Sequence, residues 1–368
     1  MSRTVTIDAR WLVGGIGTYT KHLLAGVAPA ASGFCLKVIT RSQHVEEVHQ
    51  WCGEVKVVDA PIYSLREQWM VVRAASGSAL LHVPHYNAPL FHRGPLLVSI
   101  HDVIHICDPS YRSSLKSRVY ASPMLQLVTR KAEHIVTVSE YTKKQIVERL
   151  GVPPEKVTVI YNGVNGEFQP VRHDDARGTI SRLGGFEGPY ILYVGSLKPY
   201  KNVSGLLRAF AVFHGRHAPP HKLLIVGDDA KCKEPLLEEC SRLGIQNAVR
   251  FVPQVPQAVL PKVYVASDAL VMPSRIEGFG LPVLEAMASG TPVICSRAAS
   301  LPEVAGDAAV YFDPKNDEEL ADVMERVLSS RELQESLRAK GLERAKRFTW
   351  EESIRKHVEL YRRLLAVN

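Results

Sequence analysis

The sequence predicts an α/β protein with two domains, each a doubly wound parallel sheet covered by helices on both faces. Short apolar runs alternate with amphipathic stretches, which is the pattern of strands joined by helical crossovers. The alternation occurs twice, and the polar segment 172–188, which lacks clear periodicity, is expected to link the two series. At 368 residues the chain also exceeds the length that one hydrophobic core usually serves.

Each strand is predicted from a brief apolar run that ends at a polar or glycine-containing turn. In the first series these runs are 4–8, 36–40, 55–59, 79–83, 96–101, 134–138 and 157–161. In the second series they are 190–195, 222–227, 248–251, 269–272, 292–295 and 309–312. Helical periodicity between the runs and at the end of the chain predicts helices over 17–27, 142–150, 202–214 and 350–365.

The composition is that of an ordinary globular protein, with 46% hydrophobic and 23% charged residues. No apolar stretch approaches the ~20 residues that a membrane span needs. The residues after Met1 enter a strand without the apolar core of a signal peptide. The 6 cysteines are scattered without a C-x-x-C pair, so we expect free thiols rather than disulfides or a zinc site. These features predict a cytoplasmic protein.

The net charge of +7 is concentrated in one basic stretch of the first half. On helices such a stretch fits contact with an anionic membrane surface, and it equally fits a solvated helix face. Nucleic acid is disfavoured as a partner, because no recognition motif or aromatic platform accompanies the charge. The basic residues of the stretch are Arg112, Lys116, Arg118, Arg130, Lys131, Lys143 and Lys144.

The most informative segment is Glu277-Gly-Phe-Gly-Leu-Pro-Val-Leu-Glu285. Gly278 and Gly280 let backbone amides approach a ligand, and Pro282 suits the start of a helix. A strand, a glycine turn and a helix N-terminus together form a binding site for a phosphate. Glu285, about one turn into the helix, is placed to accept hydrogen bonds from ribose hydroxyls. Glu277 lies where a sugar attached to the phosphate would sit, so the segment predicts a nucleotide-sugar site.

This segment resembles the Glu-x7-Glu signature of retaining glycosyltransferases of family 4, which have the GT-B fold. The resemblance implies two Rossmann-like domains that face each other across a cleft. It implies that residues 1–172 form the acceptor-side domain, residues 173–349 the donor domain, and residues 350–368 a helix that packs back on the first domain. The backbone amides of Gly278, Phe279, Gly280 and Leu281 would then contact the donor diphosphate.

A second glycine-rich segment follows the first predicted strand, in the run Asp8-Ala-Arg-Trp-Leu-Val-Gly-Gly15-Ile-Gly17. Thr20 stands at the third glycine position of G-x-G-x-x-G, which disfavours a dinucleotide-binding dehydrogenase. Taken alone the run predicts only a glycine turn. It resembles the loop that family members place against the donor diphosphate, which implies that Gly15 and Gly17 contact the donor.

A lysine follows the first strand of the second series, in the run Gly195-Ser196-Leu-Lys198-Pro-Tyr-Lys201. A lysine just past a glycine turn is a point charge suited to a diphosphate. Family members often carry arginine and then lysine here, whereas this chain has Ser196 at the arginine position and keeps Lys201. We therefore expect Lys201 to be the main cation, with Lys198 either assisting it or simply solvated and with Ser196 beside the donor.

The pair His101-Asp102 closes a strand of the first series. A histidine at such a strand end can bind a sugar hydroxyl or stabilise charge on a reacting group. The pair resembles the His-Asp pair of the family, which implies that His101 contacts the transferred sugar and that Asp102 lies on the acceptor side. A satisfied core histidine is the alternative. We assign no role to the remaining histidines nearby, which are His82, His85 and His105.

Weaker signals are Gly227, Val252 and Val255, which follow two further strands of the second series. They are expected either to contact the nucleotide or to form ordinary turns. The sequence contains no Asp-x-Asp, the metal-binding motif of the other large glycosyltransferase architecture. We therefore expect no metal and no cofactor, because Lys201 and backbone amides can meet the charge of the diphosphate.

Together these resemblances imply a retaining transferase in which Glu277, Lys201 and His101 are catalytic. The closest resemblance, to bacterial mannosyltransferases of polysaccharide assembly, implies transfer of mannose from GDP-mannose to a glycan or lipid-linked sugar at the inner face of the plasma membrane. The alternatives are a UDP-sugar donor, an enzyme that acts on a nucleotide sugar without an acceptor, and a non-catalytic nucleotide-sugar-binding scaffold.

Overall fold

The computed structural model describes residues 3–31, 33–108, 120–171, 176, 188–217, 219–253 and 255–367. The internal contacts distinguish two structural units. The first unit consists of Met1–Gly163 with Trp350–Asn368, and the second consists of Val164–Thr349. Each unit has its own parallel sheet, which confirms the predicted fold class.

The strands of the first unit are β1 (Arg3–Asp8), β2 (Phe34–Thr40), β3 (Glu54–Val57), β4 (Leu80–Val83), β5 (Leu96–Ile100), β6 (His134–Thr137) and β7 (Val157–Val159). They form a seven-stranded sheet in the order β3-β2-β1-β4-β5-β6-β7, and all neighbours are parallel. All strands predicted in this half are confirmed, with small shifts at their ends. The strand order reverses between β1 and β4, which makes the carboxyl ends of these two strands the expected ligand position in this sheet.

The helices of the first unit are α1 (Gly14–Ala30), α2 (Val45–His49), α3 (Leu65–Ala74), α4 (Ile104–Cys107), α5 (Ser122–Lys131), α6 (Glu140–Leu150) and the C-terminal α14 (Trp350–Val367). Two serines start helices as N-caps: the Ser64 hydroxyl accepts the Glu67 N–H, and the Ser139 hydroxyl accepts the Thr142 N–H, both at 3.1 Å. Gly151, with φ of 65°, ends α6 in a left-handed conformation.

Helix α14 packs into the core of the first unit. Ile354, Val358 and Tyr361 are buried in the same apolar cluster as residues of β1 and α1. Helices α1 and α14 approach so closely at Gly26 that any side chain there would collide with Ile354. The last helix of the chain therefore completes a core that begins with the first strand.

A chain of buried hydrogen bonds fixes α14 to β5 and α1. The Nδ1–H of His357 donates to the carbonyl of Ser353 at 2.8 Å, so its Nε2 must accept. The Tyr19 hydroxyl is therefore the donor to His357 Nε2 at 2.7 Å, and the Ser99 hydroxyl donates to Tyr19 at 2.8 Å. Because the Ser99 proton is used, the 2.8 Å bond to His82 must run from His82 Nε2–H to Ser99. The hydrogen bond from His357 to the Ser353 carbonyl therefore fixes the donor and the acceptor in every other hydrogen bond of this chain.

This arrangement requires neutral histidines, since each ring both donates and accepts. Burial lowers the pKa of His357 to about 4 and lowers that of His82 well below its ordinary value. His82 Nδ1 accepts the hydroxyl of Tyr361 at 2.6 Å, which ties a second point of α14 to β4. His82, to which the sequence assigned no role, is therefore a core residue.

The strands of the second unit are β8 (Tyr190–Val194), β9 (Lys222–Val226), β10 (Val249–Val252), β11 (Ala269–Met272), β12 (Val293–Ser296) and β13 (Ala309–Phe312). They form a six-stranded parallel sheet in the order β10-β9-β8-β11-β12-β13, which reverses between β8 and β11. All strands predicted in the second series are confirmed. The helices are α7 (Val203–His217), α8 (Ala230–Arg242), α9 (Leu260–Val265), α10 (Leu281–Ala288), α11 (Leu301–Ala305), α12 (Asp317–Ser329) and α13 (Arg331–Ala345).

The second unit begins before residue 172, where the sequence placed the boundary. Val164 forms an isolated parallel bridge with Thr349, and the ring of Phe168 packs edge-on against Tyr264 at 5.8 Å. These contacts hold the segment after residue 163 against the second unit. Of the expected linker 172–188, all but residues 176 and 188 lies outside the described residues.

All six cysteines are free thiols, as the sequence predicted. Among the helices of the described ranges, none combines the length and the apolar character needed to cross a membrane.

Candidate active site

The reversal of strand order in the second sheet brings two predicted motifs together. Lys201 lies in a short 3-10 turn, Pro199–Lys201, beyond the end of β8. Glu277 follows the end of β11, the strand next to β8. Lys201 Nζ lies 2.5 Å from Glu277 Oε1, and the two side chains are only 15% and 8% exposed. Sequence reasoning assigned them separate roles and did not anticipate that they form an ion pair.

The carboxylate of Glu277 is held by more than Lys201. The Ser274 hydroxyl donates to Glu277 Oε1 at 3.0 Å, so both contacts fall on one oxygen. In the described part of the chain, Oε2 has no hydrogen-bonding partner. The Ser300 hydroxyl donates to the backbone carbonyls of Glu277 and Phe279, at 3.0 and 3.1 Å. The carboxylate is therefore oriented, and one of its oxygens remains available to a ligand hydroxyl.

The turn that carries Lys201 is fixed by the residue after it. Asn202 has a left-handed backbone with φ of 58°, which asparagine tolerates better than most residues. Its buried side-chain amide donates to the carbonyl of Pro314 at 3.0 Å. Lys201 is thus presented by a rigid turn rather than by a solvated loop.

The predicted glycine turn and helix start are both present. Gly280 has φ of 100°, a backbone conformation that favours glycine, and a Cβ there would also lie 2.8 Å from a methyl carbon of Leu301. Helix α10 begins at Leu281 with Pro282 in its first turn. Phe279 is buried, and its ring meets the edge of Phe348 at 5.9 Å, so its side chain supports the turn from within the core. The N-terminus of α10 offers backbone N–H groups to an anion.

Glu285 lies one turn into α10, where its carboxylate accepts the hydroxyl of Tyr264 at 2.7 Å. Burial raises the pKa of Glu285 to about 7, against the opposing effect of the hydrogen bond from Tyr264. A mixture of carboxylate and carboxylic acid at neutral pH is unusual for a surface residue and common at ligand sites. Sequence reasoning missed Tyr264, because nothing in the sequence around α9 indicates that this tyrosine binds Glu285.

Gly227, which was predicted to face the nucleotide, lets two backbones come close together. A Cβ on Gly227 would collide with the carbonyl of Gly195, and the Gly227 N–H is already bonded to Val252 O at 2.9 Å. A glycine is needed at this position because the ends of β8 and β9 approach each other closely. The carbonyl of Ser196 accepts the hydroxyl of Tyr193 at 2.7 Å, so the turn is anchored there as well.

The other donor-side residues are less constrained. Lys198 is exposed at the start of the turn that ends in Lys201. Val252 ends β10 half-buried and Val255 is buried, while Gln254 between them lies outside the described residues. Contact of these positions with a base stays a prediction.

In the first unit, the glycine-rich run forms the start of α1. Gly14 (φ of 62°) and Gly15 are exposed at the helix N-terminus with open space around them. Gly17 is buried, its N–H donates to Val13 O at 3.1 Å, and a side chain there would collide with the backbone of Leu12. Gly15 therefore remains a candidate for contact with an anion, whereas Gly17 has a packing role.

His101 follows β5 and is neutral. Its Nε2–H donates to the carbonyl of Pro84 at 3.1 Å, which leaves Nδ1 as an acceptor. Burial lowers the pKa of His101, although this hydrogen bond and Asp102 oppose the effect. Asp102 Oδ1 accepts the N–H of Ile104 at 3.1 Å. A neutral imidazole with a free acceptor nitrogen is suited to orient a sugar hydroxyl.

Sequence reasoning missed a charged cluster beside these residues. The guanidinium of Arg10 forms a bidentate pair with Asp8, at 2.8 and 2.7 Å, and binds Glu67 Oε1 at 2.7 Å. All three residues are at most 6% exposed. Burial by itself lowers the pKa of Arg10, but the two carboxylates outweigh it and raise that pKa above its ordinary value. Asp8 and Arg10 could have been noticed in the sequence, because they are charged residues at the end of a buried strand. No sequence pattern marks Glu67 as their partner.

Among the described side chains, no group of three or more His, Cys, Asp or Glu residues is arranged to hold a metal ion. Two sets of charged groups near the strand ends are instead paired, namely Lys201 with Glu277 and Arg10 with its two carboxylates.

Comparison with known proteins gives matches in both halves. Residues 13–168 match the family model described as Glycosyltransferase Family 4, and residues 185–344 match the model described as Glycosyl transferases group 1. The chain is similar to the O-antigen chain mannosyltransferase B of Escherichia coli, with 29% identity over 77% of this chain and 74% of the relative. It is also similar to a D-inositol 3-phosphate glycosyltransferase of Nocardioides sp., with 32% identity over 65% of this chain and 55% of the relative.

Solved structures have the same fold at lower sequence identity. The crystal structure of Anabaena HepE in complex with UDP-glucose has a TM-score of 0.81 at 20% identity, covering 97% of this chain and 99% of that one. Its fold agrees with the two parallel sheets described above. The two family models and this shared architecture show that the chain belongs to the family 4 glycosyltransferases of the GT-B fold.

Proposed function

We propose that this glycosyltransferase moves mannose from GDP-mannose to a glycan or lipid-linked sugar in cell-surface polysaccharide synthesis, with retention of configuration. The observation that carries the proposal is the Lys201–Glu277 pair at the strand-order reversal of the second sheet, beside the N-terminus of α10. A cation and a helix N-terminus suit a diphosphate, and an oriented carboxylate suits sugar hydroxyls. The choice of mannose is supported by the similarity to an O-antigen chain mannosyltransferase.

Each residue has a role that its surroundings support. Lys201 and the amides at the start of α10 stabilise the negative charge that grows on the diphosphate as the sugar leaves. Glu277 binds sugar hydroxyls through Oε2, and Glu285 accepts the ribose hydroxyls. His101 accepts a hydroxyl of the transferred sugar through Nδ1. The reaction proceeds by front-face displacement, in which the leaving phosphate takes the proton of the acceptor hydroxyl.

We also propose that the reaction needs no metal or other cofactor. The support is chemical: Lys201 and backbone N–H groups can compensate a diphosphate without a divalent ion. A UDP-sugar remains the alternative donor, since the structural neighbour Anabaena HepE was solved with UDP-glucose. A scaffold that binds a nucleotide sugar without turning it over is the alternative outside enzymes.

Donor binding tests the proposal directly by calorimetry with GDP-mannose, UDP-glucose and ADP-glucose in excess EDTA. We expect micromolar binding of GDP-mannose alone, which corresponds to about 8 kcal/mol. Binding of UDP-glucose alone would show that the donor is a UDP-sugar and not GDP-mannose. Binding without turnover on any tested acceptor would favour the scaffold. Loss of binding in EDTA would overturn the metal-free mechanism.

The same titration should depend on pH through Glu285. Its pKa is about 7 in the free protein. Ribose hydroxyls donate more strongly to the ionised carboxylate than to the carboxylic acid, whose own O–H is a donor. Binding therefore lowers that pKa and releases a proton, so affinity rises with pH by up to about tenfold per unit below pH 7 and then levels off. GDP-mannose is the suitable ligand, because its diphosphate is esterified at both ends and has no proton that titrates in this range. Glu285→Gln is the control, and a profile of unchanged slope in this variant would show that Glu285 is not the group that titrates.

Peripheral contact with an anionic membrane is a further part of the proposal. Trp69 and Phe91 stack with ring centroids 5.2 Å apart although they are 66% and 52% exposed. Leu65 is 81% exposed beside them in sequence, and the exposed Arg66 and Arg93 flank the aromatic residues. Exposed aromatic and basic side chains together suit the interface of an anionic bilayer. Of the basic stretch predicted from sequence, Arg112, Lys116 and Arg118 lie outside the described residues.

Vesicle sedimentation with and without phosphatidylglycerol tests this contact. We expect binding only to the anionic vesicles, reduced about tenfold when Trp69 and Phe91 are both replaced by serine. Leu237→Ser is the matched control, because Leu237 is another exposed apolar residue, in the second unit. Equal binding to neutral and anionic vesicles, or an equal loss in the control, would contradict the proposal.

A further inference from the structure

One aromatic side chain of the first unit contacts both His101 and the last helix of the chain. Tyr19 lies on α1 and is fully buried. Its ring meets the imidazole of His101 nearly at a right angle, with centroids 4.7 Å apart and an interplanar angle of 81°. The same ring packs against Trp350 and His357 of α14, with centroid distances of 6.5 and 5.7 Å. Tyr19 therefore connects α14 to His101 by direct contact.

The hydrogen bond of His101 fixes only one point of its ring. The Nε2–H group donates to the carbonyl of Pro84 at 3.1 Å, and the imidazole could still turn about the line through these two atoms. A perpendicular contact between aromatic rings is favourable beyond the area that it buries, because the positive edge of one ring meets the negative face of the other. The contact with Tyr19 therefore favours one orientation of the ring and fixes the direction in which Nδ1 presents its lone pair.

The position of Tyr19 is itself set from α14. Its hydroxyl donates to His357 Nε2 at 2.7 Å and accepts from the Ser99 hydroxyl at 2.8 Å. All three side chains have no exposed surface, so a displaced hydroxyl would find no water to replace these partners. The orientation of the Tyr19 ring thus depends on His357, which is 338 positions away in sequence.

We propose that Tyr19 and His357 are positioning residues for His101, so that the docking of α14 holds the acceptor nitrogen of His101 in the direction of the transferred sugar. The contact of His101 with a sugar rests on the proposed function, whereas the control of its ring orientation rests on the contacts described here. Neither Tyr19 nor His357 touches the substrate, because each acts through the imidazole of His101.

The imidazole nitrogens of His101 report its orientation without any turnover. Long-range ¹H–¹⁵N NMR of the full chain, labelled at histidine and assigned with a His101→Gln variant, should show a single tautomer with the proton on Nε2. In Tyr19→Leu the shifts of the two nitrogens should move towards each other, because a ring that leaves Pro84 part of the time exchanges its proton between them. Tyr19→Phe, which keeps the ring and loses the hydroxyl, should give a smaller change of the same sign.

Two changes at His357 test the connection to α14. His357→Leu removes the acceptor of the Tyr19 hydroxyl and should reproduce the change seen in Tyr19→Leu. His357→Gln provides a side-chain carbonyl that can still accept this hydroxyl, and it should largely restore the signals of His101. Leu365→Ala is the control for stability, because Leu365 is buried in the same core about two turns further along α14. It should destabilise the unit and leave the signals of His101 unchanged.

The NMR result can contradict the proposal in two ways. Unchanged signals of His101 in folded Tyr19→Leu or Tyr19→Phe protein would show that the ring is fixed without Tyr19. An equal change in Leu365→Ala would show that the signals follow the general stability of the unit and not the contact through Tyr19 and His357.

Turnover gives an independent test through a double-mutant cycle. Tyr19→Leu should lower the rate at saturating donor about tenfold, because a misdirected Nδ1 no longer meets its hydroxyl. In the His101→Gln background the same change should have no further effect, since Tyr19 acts only through the imidazole. An equal loss in both backgrounds would mean that Tyr19 affects the reaction by another route, which would overturn the proposal.

The two readouts separate this proposal from the proposed function. If the signals of His101 respond as expected and no nucleotide sugar is turned over, the positioning role stands and the proposed function fails. If a sugar is transferred while the signals of His101 do not respond to changes at Tyr19 and His357, the proposed function stands and the positioning role fails.

Discussion

Replacement of Glu277 by glutamine is expected to lower turnover about 10²- to 10³-fold while the protein stays folded. Glutamine keeps the size of the side chain and can still accept from Ser274, but it removes the charge that Lys201 meets at 2.5 Å. The substitution also removes the carboxylate oxygen Oε2, which is proposed to accept hydrogen bonds from the sugar hydroxyls. The measurement is the initial rate of nucleoside diphosphate release at saturating donor, with binding of the donor followed separately.

Glu239→Gln is the matched control for this prediction. Glu239 is also a partly buried carboxylate of the second unit, and it pairs with Arg208 at 3.1 Å, but it lies on α8 away from the ends of β8 and β11. We expect its turnover to equal that of the unaltered protein. Full activity of the Glu277→Gln variant would show that Glu277 has no catalytic role.

Replacement of Arg10 by methionine is expected to have the largest effect on stability. The change leaves Asp8 and Glu67 buried next to each other without a cation. Removal of one partner of such a buried ionic group costs about 3–5 kcal/mol, because the remaining charges are neither solvated nor compensated. Urea denaturation followed by far-UV circular dichroism gives the free energy of unfolding.

An exposed arginine provides the comparison. Arg355 on α14 also contacts two carboxylates, at 2.7 Å to Glu352 and 2.5 Å to Glu359, but the group is solvated. Arg355→Met should leave the midpoint of unfolding unchanged within error, because solvated ion pairs contribute little. Equal loss of stability in the two variants would mean that burial of the Arg10 cluster is not what makes it important.

The fold could be predicted from the sequence because its signals are local. Each strand is a short apolar run, and the parallel sheets follow from the alternation of such runs with helices. The run 277–285 likewise predicted the turn at Gly280, the start of α10 and the position of Glu285, because backbone geometry and helix spacing are properties of neighbouring residues.

Contacts between distant residues could not be predicted in the same way. Arg10 and Glu67 are 57 positions apart, and Lys201 and Glu277 are 76 positions apart. Lys201 and Glu277 meet because β8 and β11 are neighbours at the strand-order reversal of their sheet. Arg10 follows β1, whereas Glu67 lies in the first turn of α3, the helix before β4. No local pattern specifies either meeting. Gly227 shows a related limit. The sequence singled out this glycine, but only the structure shows that it leaves room for the backbone carbonyl of Gly195.

The packing of α14 has a consequence for synthesis of the protein on the ribosome. The second unit has all of its residues once the chain has emerged through Thr349. At that moment the first unit, although translated earlier, still lacks Ile354, His357 and Tyr361, which fill its core and end its buried hydrogen-bond chain. Because domains fold as units when their residues are available, the order of folding is the reverse of the order of translation. The first unit therefore stays incompletely packed until α14 has emerged from the ribosome.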